Sequence, residues 1–214
     1  MTNILEQITQ IDGYFWPKNS ENTFKLTMQT LGMSTTIFPH LKNKNVMIQA
    51  GGNCGLTIIP FVEEFKNIYT FEPDPINFLC LNNNLPFTNV NKIQACLGEE
   101  HRLVNIDLGS GTDRGSFFVS GKGKIPMFKI DDLKLDECDL IMLDIEGYEY
   151  YSLLGGIETI KKYKPVICFE YYDAWLARFG SSLQQIENLL INELGYKRTD
   201  TYRTSYSVDL IYTF

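Results

Sequence analysis

A chain of 214 residues that is 44% hydrophobic and 21% charged suits one globular domain with a substantial core, and leaves little room for a second. The formal net charge of -7 argues against a broad nucleic-acid surface, which needs clustered Lys and Arg to release counterions. No apolar run approaches the roughly 20 residues needed to span a bilayer, and the opening MTNILEQITQ lacks the basic-then-apolar order of a secretory leader, so a cytoplasmic protein is expected.

Residues 1–45 read as a lead-in packed on the core. Ile4, Leu5, Ile8 and Ile11 fall at helical spacing ahead of Tyr14, Phe15 and Trp16, which predicts a helix. A lid over a ligand is the alternative use of those aromatics. From residue 46 the pattern turns α/β: strand VMIQA, turn GGNCG, helix LTIIPFVEEF with Pro60 near its start, and strand NIYTFE ending at Glu72. In EPDPINFLCLNNN, Asp74 is placed to cap a helix whose first position is Pro75. Strand NKIQACL completes βαβαβ, which calls for a mostly parallel sheet with right-handed crossovers.

Residues 99–130 break the rhythm. A strand in LVNIDL, the loop GSGTDRGS and the mixed stretch SGKGKIPMFKI suggest a surface excursion near the sheet's C-terminal edge. CDLIMLDIEGYEYYSLLGG resumes strand and helix, and KPVICFEYY is a further strand. SSLQQIENLLINEL is a capped amphipathic helix, and GYKRTDTYRTSYSVDLIYTF reads as two closing strands. Cys54, Cys80, Cys96, Cys138 and Cys168 include no C-x-x-C pair, so neither a disulfide framework nor a zinc knuckle is indicated.

The glycine turn raises the question of a ligand. Ala50-x-Gly52-x-x-Gly55 is an imperfect dinucleotide fingerprint, while Gly51-x-x-x-Gly55 makes a bend that lets a methionyl or ribosyl group lie against the backbone, with the helix amides beyond it facing a carboxylate. Glu72, at the end of the second strand, is placed to accept both ribose hydroxyls of an adenosine cofactor. A solvated edge carboxylate is the structural alternative.

QAGGNCG, YTFEPDP, IPMFKIDDL, IMLDIEGYEYYSLLGG and KPVICFEYY, in this order, resemble the FkbM family of S-adenosylmethionine-dependent methyltransferases over residues 46–172, with Asp144-x-Glu146-Gly147-x-Glu149 the most specific block. The resemblance implies a Rossmann-like class I methyltransferase domain over 46–214, its seven-stranded sheet ordered 3-2-1-4-5-7-6 with the last strand antiparallel. It implies S-adenosylmethionine as cofactor, with Gly51, Asn53 and Gly55 on the methionine side and Glu72 on the ribose. Ala95 and Cys96, ending the third strand, would border the adenine, with Pro73 or Asp74 on the opposite wall. Asp144 and Glu146 would face the methyl group and acceptor, and Glu170 would close the acceptor side. Two positions depart from the pattern: Gln49 stands where an acid usually opens the first motif, and Met142 where a Lys precedes the D-x-E-G block. Gln49 would still reach the turn or the cofactor amine, with weaker cofactor binding expected.

An alcohol acceptor needs a base. Asp144, Glu146 and Glu170 end adjacent strands at the ligand edge, and Glu146, where strand turns into helix, is the first choice; Glu149 is expected to face solvent. No metal ligand is assigned, although three carboxylates so grouped also suit a divalent cation. His101 follows the third strand at the same edge and is a further catalytic candidate, and His40 precedes the first strand. The aromatics of YEYY and YYDAW would stack on a sugar or pack the core. Arg114, Lys122 and Lys124 would make a positive loop or a solvated face. The sequence therefore points to O-methylation of a hydroxyl on a small molecule or glycan. A non-catalytic adenosine-ligand binding module and an NAD-linked oxidoreductase are the alternatives.

Overall fold

The apolar strand VMIQA lies at the centre of the sheet in a computed structural model, which describes residues 4–109 and 114–214. A helical turn leads into a hairpin of β1 (Ile8–Ile11) and β2 (Tyr14–Pro17), then α1 (Glu21–Thr30) and α2 (Met33–Ile37). β3 (Val46–Ala50), α3 (Ile59–Val62), β4 (Asn67–Phe71), α4 (Pro75–Asn84) and β5 (Val90–Ile93) form the first α/β run. β6 (Cys96–Leu97), β7 (Arg102–Leu108) and β8 (Phe117–Phe128) follow. The second run comprises β9 (Leu140–Leu143), α5 (Glu149–Leu154), α6 (Ile157–Tyr163), β10 (Val166–Glu170), α7 (Asp173–Arg178), α8 (Leu183–Glu187), β11 (Lys197–Arg203) and β12 (Val208–Thr213).

The main sheet has the order β5-β4-β3-β9-β10-β12-β11. Its pairs are parallel except those of β12, which runs antiparallel to both neighbours. This is the expected 3-2-1-4-5-7-6 arrangement. β3, β9 and β10 are buried at every position, as strands covered on both faces must be. Alternate residues serve opposite faces: Ile48, Leu143 and Phe169 join one core, and Met47, Met142 and Cys168 the other. No helix among the described residues is long and apolar enough to cross a membrane.

Four local expectations are corrected. The lead-in keeps helical pieces in α1 and α2, but the stretch at Ile8–Pro17 is a hairpin and not a helix, because Asp12 and Gly13 take positive φ (50° and 86°) and close a tight turn between β1 and β2. The helix after the glycine turn is split into a 3-10 turn at Leu56–Ile58 and the four-residue α3, since Pro60 has no N–H to continue the ladder. NKIQACL is not one strand: the Ala95 N–H turns back to the Ile93 carbonyl at 3.0 Å, and Cys96–Leu97 pair with Met127–Phe128 of β8 instead. The final helix is capped as expected, by Ser182, but winds as a π-helix over Asn188–Glu193.

The excursion at 99–130 is an ordered ribbon of β7 and β8, joined to β6 in a second sheet; within it, residues 110–113 lie outside the described residues. The lead-in is fastened by Asn84 of α4, whose side-chain oxygen accepts the Phe15 N–H at 2.8 Å and whose amide donates to the Phe15 and Cys54 carbonyls. Trp16, 1% exposed, packs edge-on against Phe24 and donates its indole N–H to the Ser20 carbonyl. Trp16→Ala is expected to cost about 3–5 kcal/mol, read as a lower urea midpoint.

Candidate active site

The first turn of the site is built by backbone constraint. Gly51 and Gly52 both donate to the Phe71 carbonyl, at 3.0 and 2.9 Å, which ties the end of β3 to the end of β4. Gly51 has φ +83°, and a Cβ there would stand 1.8 Å from the Asp144 carbonyl oxygen, so only glycine fits. Asn53, also at positive φ (46°), turns its N–H onto Glu72 Oε2 at 2.7 Å, while Glu72 Oε1 accepts the Asp74 N–H at 2.8 Å. Asp74 caps α4 as expected, its Oδ1 accepting from Ile76 and Asn77. Its other oxygen receives Arg114, which crosses over from the ribbon and also takes the Asn77 amide on its carbonyl.

The second half is a strained turn after β9. Glu146 has φ +60° and Gly147 φ +106°, and α7 lies so close that a Gly147 Cβ would meet the Trp175 carbonyl at 2.2 Å. Glu149 holds this turn: its Oε1 accepts the Ile145 and Gly147 N–H groups at 3.0 and 3.3 Å. It is 1% exposed, so the expectation that it faces solvent is overturned. Both helices after the turns are short, and α3 has only four residues, so a helix dipole capturing a carboxylate is not offered.

Between the two turns lies a cavity with about 790 Å³ of free space, its mouth included. Ala50, Gly51, Asn53, Glu72, Pro73, Ala95, Cys96, Asp144, Glu146 and Tyr148 line it from the sheet. The ribbon adds Ile106, Phe117 and Val119, the lead-in adds Thr27 and Thr30, and the β11–β12 connection adds Tyr206. A smaller cavity beneath brings Asp144 together with Glu170, Asp209, Gln49 and Met142.

Electrostatics set the acids apart from ordinary carboxyls. Burial pushes Glu72 up to about 8 against the pull of its two amide donors. Burial, then the neighbouring charges of Asp144 and Glu149, push Glu146 to about 9. Glu170 is held well above the usual carboxylate range by burial and by the neighbouring Asp144, which burial also raises. Asp209, paired with Glu170 across β10 and β12, is raised to about 8 by burial and Asp144.

Residues 55–198 match the model of the methyltransferase FkbM domain. The chain belongs to the FkbM methyltransferase family. That family implies S-adenosylmethionine as the methyl donor. No curated protein matches the chain. Among solved structures it is similar to the FkbM methyltransferase of Methylobacillus flagellatus KT, at 19% identity with a TM-score of 0.57 over 79% of this chain and 43% of that one. This chain thus spans less than half the length of that protein. Precorrin-6y C5,15-methyltransferase from Geobacter metallireducens GS-15 (14% identity, TM-score 0.52, 95% and 94% covered) has the same fold. So does the N-methyltransferase NodS of Bradyrhizobium japonicum WM9 in complex with S-adenosyl-L-homocysteine (10%, 0.52, 98% and 95%).

Among the donor-side candidates, Gly51, Asn53, Glu72, Pro73, Ala95, Cys96 and Asp144 border the main cavity, although Ala95 and Cys96 do so from the turn beyond the third strand. Gly55 does not border it; it shapes the turn from behind, at φ +89°, donating to the Gly52 carbonyl. Gln49 does not border it: of the two expected partners, the turn or a cofactor amine, its amide takes the backbone, donating to the Ala50 carbonyl at the entry to the turn, while its oxygen accepts from Thr70 Oγ1 at 2.6 Å. The fit to an adenosyl group otherwise holds, since the glycine cradle, the Glu72 carboxylate and the unpartnered Asn77 Oδ1 and Arg114 Nε all border the cavity.

Of the catalytic candidates, Asp144 and Glu146 border the main cavity and Glu170 lies behind Asp144. His101 is not brought in; it is half-exposed on the ribbon side, its Nε2 2.7 Å from Asp132. His40 lies against Asp200. Of the loop cations only Arg114 reaches the cavity; Lys122 and Lys124 are exposed. Tyr150 packs on the core and Tyr172 faces solvent. Sequence reasoning missed Asp209, whose signal was a lone acid in the apolar run VDLIYT, and Thr27, Thr30 and Tyr206, which carried none.

Glu72 titrates near 8 when folded and near 4.5 when free, so the folded state binds the extra proton between those values. Its stabilisation is complete below about pH 4.5 and is lost as pH rises through 8. Ligand-free thermal melts should therefore show Tm falling from pH 5 to pH 8, with a flatter slope in Glu72→Gln.

Proposed function

We propose that the chain transfers the methyl group of S-adenosylmethionine to a hydroxyl of a small molecule or glycan. One observation carries this reading: the adenosyl-type cradle of Gly51, Asn53 and Glu72 and the paired acids Asp144 and Glu146 open onto the same cavity. When bound, the donor supplies a methyl carbon already activated by its sulfonium. The protein's part is alignment and proton removal.

Glu72 offers carboxylate oxygens for the ribose hydroxyls at the place where its two amide partners hold it still. Phe71, Ala95 and Leu97 give an apolar slot for a flat base, closed on the ribbon side by Ile106 and Phe117. On the acceptor side, Glu146 takes the hydroxyl proton. Its strained backbone, held by the Glu149 brace, aims it into the cavity. An oxygen acceptor is favoured because it is the acceptor that most needs such a base.

Calorimetry with S-adenosylmethionine, S-adenosylhomocysteine and NAD tests the donor. Adenosyl ligands should bind, with Glu72→Ala weakening them by about 10- to 100-fold, the worth of one or two charge-assisted hydrogen bonds. NAD binding alone would favour the oxidoreductase reading, and adenosyl binding with no turnover across a broad panel of hydroxyl acceptors would favour a binding module. On an accepted substrate, Glu146→Gln should lower kcat by about 10²- to 10⁴-fold while leaving S-adenosylhomocysteine affinity near wild type.

A further inference from the structure

The acids at and behind the main cavity include one, Asp209, for which the family reading has no use. Asp144, Glu146 and Glu170 each bring one carboxylate oxygen into a group whose members all lie within 4.8 Å of one another. That spread matches the ligand shell of a cation with metal–oxygen bonds of about 2.1–2.5 Å. An acidic cluster alone is no site, but a separate feature points into this one. Asp209 arrives from β12, directly across from Glu170, is 4% exposed, and borders the small cavity that Asp144 and Glu170 share. Its Oδ2 is buried without any hydrogen-bond partner. The hydroxyl of Thr57, which borders both cavities, is likewise buried and unpartnered.

Among the described residues no Lys, Arg or His lines the small cavity; its remaining walls include the neutral Gln49 and Met142. Arg178 stands beside Glu146, donating to its carbonyl and lying over the Phe118 ring, and lines neither cavity. Four carboxyl groups therefore converge, with Asp209 Oδ2 left unpartnered and, among the described residues lining the small cavity, no cation to meet it.

We propose that Asp144, Glu146 and Glu170, backed by Asp209, form a binding site for a hard divalent cation such as Mg²⁺ or Mn²⁺. The all-oxygen donor set selects this class over thiolate- or imidazole-seeking metals. Asp144 and Glu146 border the main cavity, so the ion faces the acceptor side. Each acid uses one oxygen, which leaves the second oxygen of Glu146 for the acceptor's proton.

The test is Mn²⁺ uptake by the full chain, read from the loss of the free-ion electron paramagnetic resonance signal without donor or acceptor. Wild type should take up about one ion per chain, saturably and displaced by excess Mg²⁺. Asp144→Asn and Glu170→Gln should each weaken uptake by about tenfold or more, and Glu193→Gln, in the π-helix, should leave it unchanged. The Asn and Gln variants keep side-chain size and remove buried charge; circular dichroism verifies their folding. As a second readout, Mn²⁺ should raise the Tm of wild type but not of Glu170→Gln. Absence of saturable uptake by wild type, or uptake that both substitutions leave untouched, overturns the proposal. Because neither readout involves methyl transfer, failure of the metal site leaves the transferase reading standing, and failure of transfer leaves the metal site standing.

Discussion

A missing methyl group holds this site together. At Gly51 the end of β3 passes so close to the Asp144 carbonyl that no side chain can intervene, and the Asp144 N–H in turn donates to Ala50 at 3.0 Å. The glycine turn after β3 and Asp144 after β9 are thus one rigid backbone junction between adjacent central strands. Everything else is referred to it. β4 is tied in by the Phe71 carbonyl, Glu72 by Asn53, and the D-x-E-G turn follows directly from Asp144. Transfer chemistry depends on a fixed separation between two bound groups, and a junction without side chains has few soft degrees of freedom.

Around this junction the protein tolerates an unfavourable concentration of charge. Glu72, Asp144, Glu146, Glu170 and Asp209 are all raised by burial, which means that the ligand-free fold is stabilised by keeping protons on groups that would release them in water. Such an arrangement is costly for stability and is characteristic of sites that wait for a partner. Glu149, equally buried and raised to about 7, accepts two backbone N–H groups on one carboxylate oxygen and braces the turn.

What the sequence disclosed follows the range of the interactions involved. The Asp74–Pro75 cap and the buried strands rest on local chemistry or on patterns that recur along the chain, and they were legible; the full strand order came only with the family resemblance. The Asp12–Gly13 turn was equally local, yet the spacing of Ile4, Ile8 and Ile11 suggested a helix, and the turn prevailed because its positive φ angles commit the chain to a hairpin. Glu149 escaped because its direction is set by the positive-φ pair before it, which no periodicity reports. Asp209 and Tyr206 reach the site only through the register of the last hairpin, and Thr27 and Thr30 only through the docking of Trp16 and Asn84. His101 was placed at the correct edge of the sheet, but the ribbon that begins beside it carries it towards Asp132.

The contributions from the two flanks have a further consequence. The stretch that carries the family's signature runs from 55 to 198, whereas Thr27, Thr30, Gly51 and Asn53 lie before it and Tyr206 and Asp209 after it. The recognisable segment and the working enclosure are therefore different objects. Drift in the flanks can retune what enters the cavity while the signature stays intact, so relatives grouped by that signature need not share an acceptor.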